Sequence, residues 1–336
     1  MNSLLGQHIL SVEQFDRETI KHIFSVADQM LPYAKREKRT EVLNGAILGN
    51  LFFEPSTRTR VSFGTAFNLL GGFVRETTGI GSSALAKGES LYDTARVLSG
   101  YSDIIAMRHP DSGSVREFST GSRVPVVNGG DGANEHPTQA LLDLYTINKE
   151  LESHGSRLDG MHIAMIGDLR HGRTVHSLSK LLCLFNNIRF TLISPKELAM
   201  PDSVISAISN AGHQITITDS LDGQFDADIC YQTRIQEERF PSQDEANKYR
   251  GKFRLDQAIY TQHFKSKTVI MHPLPRDSRA DANELDNDLN NNPNLAIFRQ
   301  TDNGVLVRMA LFALILGVEN KLKQYERDVP WYAAHK

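Results

Sequence analysis

Short apolar runs alternate with stretches of 3.6-residue apolar spacing along most of the 336 residues. AILGNLFFE (46–54) reads as a buried strand, and RVSFGTAFNLLGG after it as a helix closed by Gly71 and Gly72. SDIIAMRH and VPVVNGG continue as strands and TQALLDLYTINKELE as a helix. A second series begins near residue 160. MHIAMIGD, IRFTLISP, QITITDS, FDADICYQT and KTVIMHPLP read as strands, with RTVHSLSKLLCLF and PDSVISAISNAG as helices between them. Such alternation implies parallel sheets covered by helices on both faces, an α/β architecture of doubly wound type. An amphipathic pattern ahead of the first series (Phe15, Ile20, Ile23, Phe24, Ala27, Met30, Leu31) predicts one more helix.

The length suits two domains. The polar, glycine-containing stretch LESHGSRLDG separates the two series. The expected division is therefore 1–150 plus about 300–336 for one domain and 151–299 for the other. DNDLNNNPN (286–294) reads as a loop, and VRMALFALILGV is too apolar for a surface helix, so burial is expected.

With 37 basic and 40 acidic residues the formal net charge is −3, which lacks the footprint of a nucleic-acid or polybasic membrane binder. Cys183 and Cys230, both in apolar stretches, are too few for a disulfide scaffold or a zinc cluster and point to a reducing compartment. The N-terminus has no basic region ahead of Glu13 and Asp16, unlike a signal peptide, and the longest apolar run, Met309 to Val318, is too short to span a bilayer. A cytoplasmic location is expected.

Ligands of open parallel sheets bind beyond the carboxyl ends of the strands. The segments there are FFE-PSTRTR, AMRH, NGGDGANEHPTQ, MIGDLRHGRT, YQTRIQ and MHPLPR. Arginine recurs at these ends, and a further end carries His136. In PSTRTR, Ser56, Thr57 and Thr59 with Arg58 and Arg60 follow a strand and open a helix. Free N–H groups and a positive dipole end make that a cradle for an anion, and a guanidinium fork matches phosphate. The plainer alternative is a hydroxyl cap with solvated arginines; the density of donors favours phosphate. His136 with Gln139 on the first helical turn can polarise a carbonyl oxygen.

Other chemistries fail on their own terms. GxxxxGK[ST] and GxGxxG are absent, and Asp168 stands where a dinucleotide loop needs glycine. His162, His171 and His176 do not form HExxH, so no metal is expected. Ser56 lacks GxSxG and an evident base, which leaves nucleophilic catalysis unsupported. No cofactor is implied.

In order, FFEPSTRTRVSF, MRHP, HPTQALLDLYTI, GDLRHGRTVHSL and HPLPR resemble the transcarbamoylase family, from about residue 7 to residue 320. HPLPR is similar to the aspartate carbamoyltransferase branch, whereas the ornithine branch carries a cysteine-containing HCLP version. The resemblance implies two doubly wound parallel-sheet domains with the active site between them. It also implies transfer of a carbamoyl group from carbamoyl phosphate to L-aspartate, an early step of pyrimidine (UMP) biosynthesis, without a covalent intermediate.

The residue roles below are those the resemblance implies. Ser56, Thr57, Arg58, Thr59 and Arg108 hold the phosphate. His136, with Thr59 and Arg108, donates to the carbonyl oxygen. Gln139 and the backbone carbonyls of Leu274 and Pro275 hold the carbamoyl amide. Arg173, Arg234 and Gln236 hold the aspartate carboxylates, and Glu54 bridges the domains to Arg173 and Arg234. Ser83 and Lys87 belong to a loop that enters the neighbouring subunit's site, with Lys87 in the catalytic and aspartate-binding sets, which implies a homotrimer.

The stretch EERFPSQDEANKYRGKF resembles the family's mobile loop, and the tail KQYERDVPWYAAHK runs past the matching part. Some members of the family join regulatory chains and others are plain trimers; nothing in this sequence identifies an effector site. Transfer to ornithine or another amino acid, and a non-catalytic anion-binding protein, are the alternatives. The second need not keep His136 and Gln139.

Overall fold

In a computed structural model, residues 3–79, 88–279 and 281–333 are described. The chain packs as two units, Met1–Leu141 with Asp302–Lys336 and Leu142–Thr301. The divisions fall inside two helices, α6 and α11 below.

The first unit opens with α1 (Arg17–Gln29), capped by the Asp16 side chain accepting from the Thr19 N–H, and α2 (Leu31–Ala34). α1 buries Ile20, Ile23, Phe24 and Ala27, the stripe its spacing predicts. After the short β1 (Lys38–Thr40) come β2 (Ile47–Phe52), α3 (Thr57–Leu69), β3 (Phe73–Thr78), α4 (Leu91–Leu98), β4 (Ile104–His109), α5 (Ser114–Gly121) and β5 (Val126–Asp131). The sheet order is β3-β2-β4-β5 with every pair parallel. Leu51, Phe53, Ile105, Met107 and Val126 pack with Ala95 of α4 and with Val115 and Phe118 of α5. Phe63 and Phe67 of α3 meet Phe312 edge-on, at 6.0 and 5.1 Å between ring centres.

The second unit takes up α6 (Pro137–Ser153) and continues through β6 (His162–Ile166), α7 (Arg173–Leu182), β7 (Arg189–Ile193), α8 (Asp202–Asn210), β8 (Gln214–Thr218), β9 (Ile229–Gln232), α9 (Gln243–Asn247), α10 (Gln257–His263) and β10 (Val269–Met271). Its sheet order is β10-β9-β6-β7-β8, again all parallel. Ile166, Ile193, Cys230 and Ile270 pack with Phe225, Phe264 and Leu289 in its core.

The apolar C-terminal pattern is one helix, α11 (Ile297–Ile315), longer than its sequence signal. Met309, Ala310 and Ala313 are fully buried, and Arg308 is buried with them. Arg308 is accommodated because its Nη1 donates to Ser62 Oγ at 2.8 Å and its guanidinium lies 4.8 Å over the Phe63 ring. Part of the tail packs against the first unit. β11 (Glu326–Asp328) pairs antiparallel with β1, Lys38 meets Asp328 at 2.7 Å, and the Tyr33 hydroxyl donates to Glu326 at 3.0 Å.

One local expectation is corrected, and one strand has no counterpart in the sequence reading. The Asn-rich 286–294 is not all loop: Asn287–Asn291 form a 3-10 helix capped by Asp286 and anchored by the buried Leu289. The edge strand β3 has no apolar run to announce it, because it is exposed and Phe73 is 51% accessible. Among the described residues, no helix is long and apolar enough to cross a membrane, and no group of three or more His, Cys, Asp or Glu could hold a metal ion. Burial pushes both thiols up, Cys183 to about 11.

His162, the first residue of β6, shows how a buried polar group ties the second unit to pH. Its Nδ1 stands 2.7 Å from the Asp226 carbonyl oxygen, which can only accept, so Nδ1 carries the proton. Nε2 then accepts from the Thr191 hydroxyl at 2.8 Å. Burial first, and Arg189 second, lower its pKa from 6.5 to about 4. The unfolded chain takes up this proton near 6.5 and the folded chain only near 4, so stability is complete above that window and lost as pH falls through it. The loss is on the order of 3 kcal/mol at most. Melting temperatures measured from pH 7 to pH 4.5 should fall more steeply for the wild type than for His162→Gln, and parallel profiles would overturn the assignment.

Candidate active site

Both sheets reverse strand order once, between β2 and β4 in the first unit and between β6 and β9 in the second. Right-handed crossovers send the chain leaving such neighbours to opposite faces, which opens a crevice at their carboxyl ends. Residues 53–59 and 108–109 lie at the first reversal, and residues 167–173 and 233–236 at the second.

At the first reversal α3 begins with Thr57, and Ser56 at its cap position makes no side-chain cap hydrogen bond. The Ser56 side chain therefore does not serve as the acceptor for the first-turn N–H groups. Arg58 and Thr57 are exposed, while Ser56 and Thr59 are half-buried. Arg60 corrects the sequence reading. Its Nη1 donates to Glu76 Oε2 on β3 at 2.9 Å, so it is committed to the sheet edge and not to the cradle.

Arg108, near the end of β4, is held from two sides. Its Nε and Nη2 lie 2.8 and 2.7 Å from Glu54 Oε2, and its Nη1 lies 3.4 Å from the Gly129 carbonyl. The side chains of Arg108 and Glu54 are only 11% and 21% accessible, so the pair fixes the guanidinium where water screens it poorly. The Phe53 N–H donates to the Arg108 carbonyl at 2.9 Å and ties the two strand ends together.

The buried His136 flanks α6, its carbonyl accepting from the Gln139 and Ala140 N–H groups at 3.0 and 3.1 Å; Gln139 is half-buried on the first turn. Asp131, which sequence reasoning missed, organises the loop leading there. Its Oδ1 accepts from Asn128 Nδ2 and the Glu135 N–H, and its Oδ2 from Asn134 Nδ2 and the Gly113 N–H. The aspartate in NGGDGANEHP was visible, but its four donors come partly from a distant segment.

At the second reversal the loops approach too closely for a side chain. Gly167 has φ +109°, and a Cβ there would lie 2.3 Å from the Thr233 carbonyl oxygen. Asp168 is fully buried. It accepts from the His171 N–H and Nδ1, both at 3.0 Å, and from the Gln236 N–H at 3.2 Å. The carboxylate thus fastens the loop after β6 to the one after β9. Arg173 opens α7, and Arg234 donates from Nη1 to the Ile235 carbonyl at 3.1 Å; both arginines and Gln236 are half-buried.

Past β10, Leu274 has φ +58° and joins Pro275 through a cis peptide. The stretch 237–253 holds Glu237–Arg239 and Gln243–Asn247 as short helices. Arg250 grips Glu237 with two bonds of 2.7 and 2.9 Å, and Arg279 adds a third of 2.9 Å. Ser83 and Lys87 lie outside the described residues.

Residues 7–149 match the family described as aspartate/ornithine carbamoyltransferase, carbamoyl-P binding domain, and residues 159–315 its Asp/Orn binding domain. An aspartate carbamoyltransferase catalytic subunit of Cellvibrio japonicus is 70% identical over 330 residues, 98% of each chain. One from Archaeoglobus fulgidus is 44% identical over 92% of this chain and 99% of its own. The catalytic subunit of M. jannaschii aspartate transcarbamoylase superposes with TM-score 0.83 at 43% identity, covering 94% of this chain and 99% of that one. The Trypanosoma cruzi enzyme in complex with carbamoyl aspartate and phosphate gives TM-score 0.83 at 39% identity, over 93% and 96%. A chain matched this completely belongs to the aspartate/ornithine carbamoyltransferase family, in its aspartate carbamoyltransferase branch.

Proposed function

We propose that the chain transfers the carbamoyl group of carbamoyl phosphate to the amine of L-aspartate, giving N-carbamoyl-L-aspartate and phosphate, an early step of de novo pyrimidine biosynthesis in the cytoplasm. One observation carries the reading: each unit gathers cationic donors at the reversal of its sheet, and Ser56 at the head of α3 makes no side-chain cap hydrogen bond. Ser56, Thr57, Arg58, Thr59 and Arg108 take the phosphate. His136, Thr59 and Arg108 donate to the carbonyl oxygen as it gains charge, and Gln139 with the Leu274 and Pro275 carbonyls takes the carbamoyl amide. Arg173, Arg234 and Gln236 take the two carboxylates of aspartate.

The amine nitrogen attacks the carbonyl carbon, the carbon–oxygen bond to phosphate breaks, and the departing phosphate accepts the amine's proton. Carbamoyl phosphate is already activated, so positioning and charge stabilisation suffice. Ornithine fits the second set poorly. Its ammonium needs a carboxylate, and Asp168 beside these donors is already engaged by three hydrogen bonds.

The assembly in this reading is a homotrimer in which Ser83 and Lys87 complete the neighbouring subunit's site. The first unit exposes several large apolar or aromatic side chains, among them Val61, Tyr92, Val97 and Tyr101, of the kind a subunit contact covers.

Two measurements test these claims. Carbamoyl-aspartate formation should drop at least on the order of 10²-fold in Arg58→Ala, because its bond to the leaving phosphate strengthens as charge develops; near-normal turnover would refute the cradle. Inactive Arg58→Ala and Lys87→Gln chains, dissociated and reassembled together, should regain activity, and hybrids that stay inactive would overturn shared sites.

A further inference from the structure

A chain of buried polar groups runs through the second unit and ends on the loop that carries Leu274 and Pro275. Tyr231 on β9 donates its hydroxyl to Asp143 Oδ2 at 2.7 Å, and Gln300 Nε2 donates to Asp143 Oδ1 at 2.6 Å. Gln300 Oε1 accepts from the His272 N–H at 3.0 Å. The His272 ring turns back on its own loop, Nδ1 accepting from the Leu274 N–H at 2.8 Å. Nε2 stands 2.8 Å from Glu284 Oε1, a close contact that is not aligned as a hydrogen bond. Both Glu284 oxygens accept from the Asp277 N–H at 3.2 Å. Tyr231, Asp143, Gln300 and His272 are no more than 1% accessible, and Glu284 is 5%.

Such a chain is a poor device for stability alone. Apolar side chains of similar volume would avoid the desolvation of two carboxylates, an imidazole and a phenol. What it does achieve is placement. Leu274 sits at φ +58°, where a branched side chain crowds the backbone, and its N–H is outside any strand or helix. That N–H bonds to the His272 ring, whose own backbone is pinned by Gln300, and the loop's far end is pinned by Glu284. Because Nδ1 accepts, it carries no proton, and the ring is held as the Nε2–H tautomer facing Glu284.

We propose that His272 and Gln300 are positioning residues that hold the Leu274 and Pro275 carbonyls in place for the carbamoyl amide. The assignment rests on the role given to those carbonyls under Proposed function. It deepens that role by saying what fixes them: Asp143 anchors Gln300, Gln300 anchors His272, and His272 anchors Leu274. Neither His272 nor Gln300 touches the reacting atoms.

The test separates this role from a merely structural one and from the activity itself. Carbamoyl-aspartate formation by the wild type is measured first; its absence sinks the functional reading and not the positioning claim alone. In His272→Ala, affinity for carbamoyl phosphate should fall on the order of tenfold, while affinity for inorganic phosphate, which lacks the amide, should not change. Turnover should fall on the order of 10²-fold, as for a misplaced contact. His272→Asn puts an acceptor where Nδ1 stands and should restore most of the loss, whereas His272→Gln, reaching the Nε2 position, should not. Gln300→Met should show the same selective loss of carbamoyl phosphate affinity. Equal losses for phosphate and carbamoyl phosphate, or equal behaviour of the Asn and Gln variants, would overturn the proposal. The Asn–Gln comparison decides the matter even where the alanine variant fails to fold.

Discussion

A parallel sheet that grows first to one side and then to the other must open where it changes direction. In this chain that happens between β2 and β4 and again between β6 and β9. Right-handed crossovers, the rule for such connections, send the two departing segments to opposite faces, so the chain diverges beyond strand ends that are themselves still joined, Phe53 N–H to the Arg108 carbonyl and Thr233 N–H to the Ile166 carbonyl. The openings also collect helix N-termini. α3 starts just past β2 and α7 just past the loop after β6, so the positive dipole ends of two helices lie beside the cationic side chains there. In the reading proposed above, an anionic group occupies each.

Cations gathered at the strand ends of one sheet repel each other, and in each unit buried carboxylates keep the loops there in order. Glu54 holds Arg108, Asp131 shapes the loop before His136, and Asp168 joins the His171 turn to Gln236. Asp131 and Asp168 accept from donors on more than one segment, so each works as a clamp. Buried pairs of this kind add little net stability, because desolvation offsets the attraction. Their gain is geometric: a guanidinium with one edge already bound presents the other in a fixed direction, without losing side-chain freedom when a ligand arrives.

The sheets were legible in the sequence because buried parallel strands are continuous apolar runs, and β2, β4, β6 and β9 are such runs bounded by turn residues. β3 was not, since an exposed edge strand carries no such signal. Strand order was out of reach as well, because hydrophobic pattern says which face is buried and not which neighbour lies alongside. Arg58 and Arg60 show a subtler limit. Side chains two positions apart on a helix do not share a face. Once α3 begins at Thr57, the two arginines must diverge, and Arg60 goes to Glu76 while Arg58 stays at the open end. Asp168 was legible as an obstacle to a dinucleotide but not as a clamp, because its third donor, the Gln236 N–H, lies far along the chain.

In the proposed reading, that arginine, and not lysine, recurs at these strand ends follows from what it would hold. Phosphate and carboxylate present two oxygens in a plane, and a guanidinium meets both with parallel N–H bonds, whereas an ammonium offers a point charge without that registry. The guanidinium also stays charged when half-buried among other cations, a setting that pulls a lysine pKa down. For a transfer that forms no bond to the protein, direction is most of what the protein supplies: the amine must approach one carbon while charge leaves on one oxygen. In the roles proposed above, Arg58, Arg108, Arg173 and Arg234 are therefore not exchangeable with lysine, although the net charge would be the same, because the transfer depends on where each N–H points.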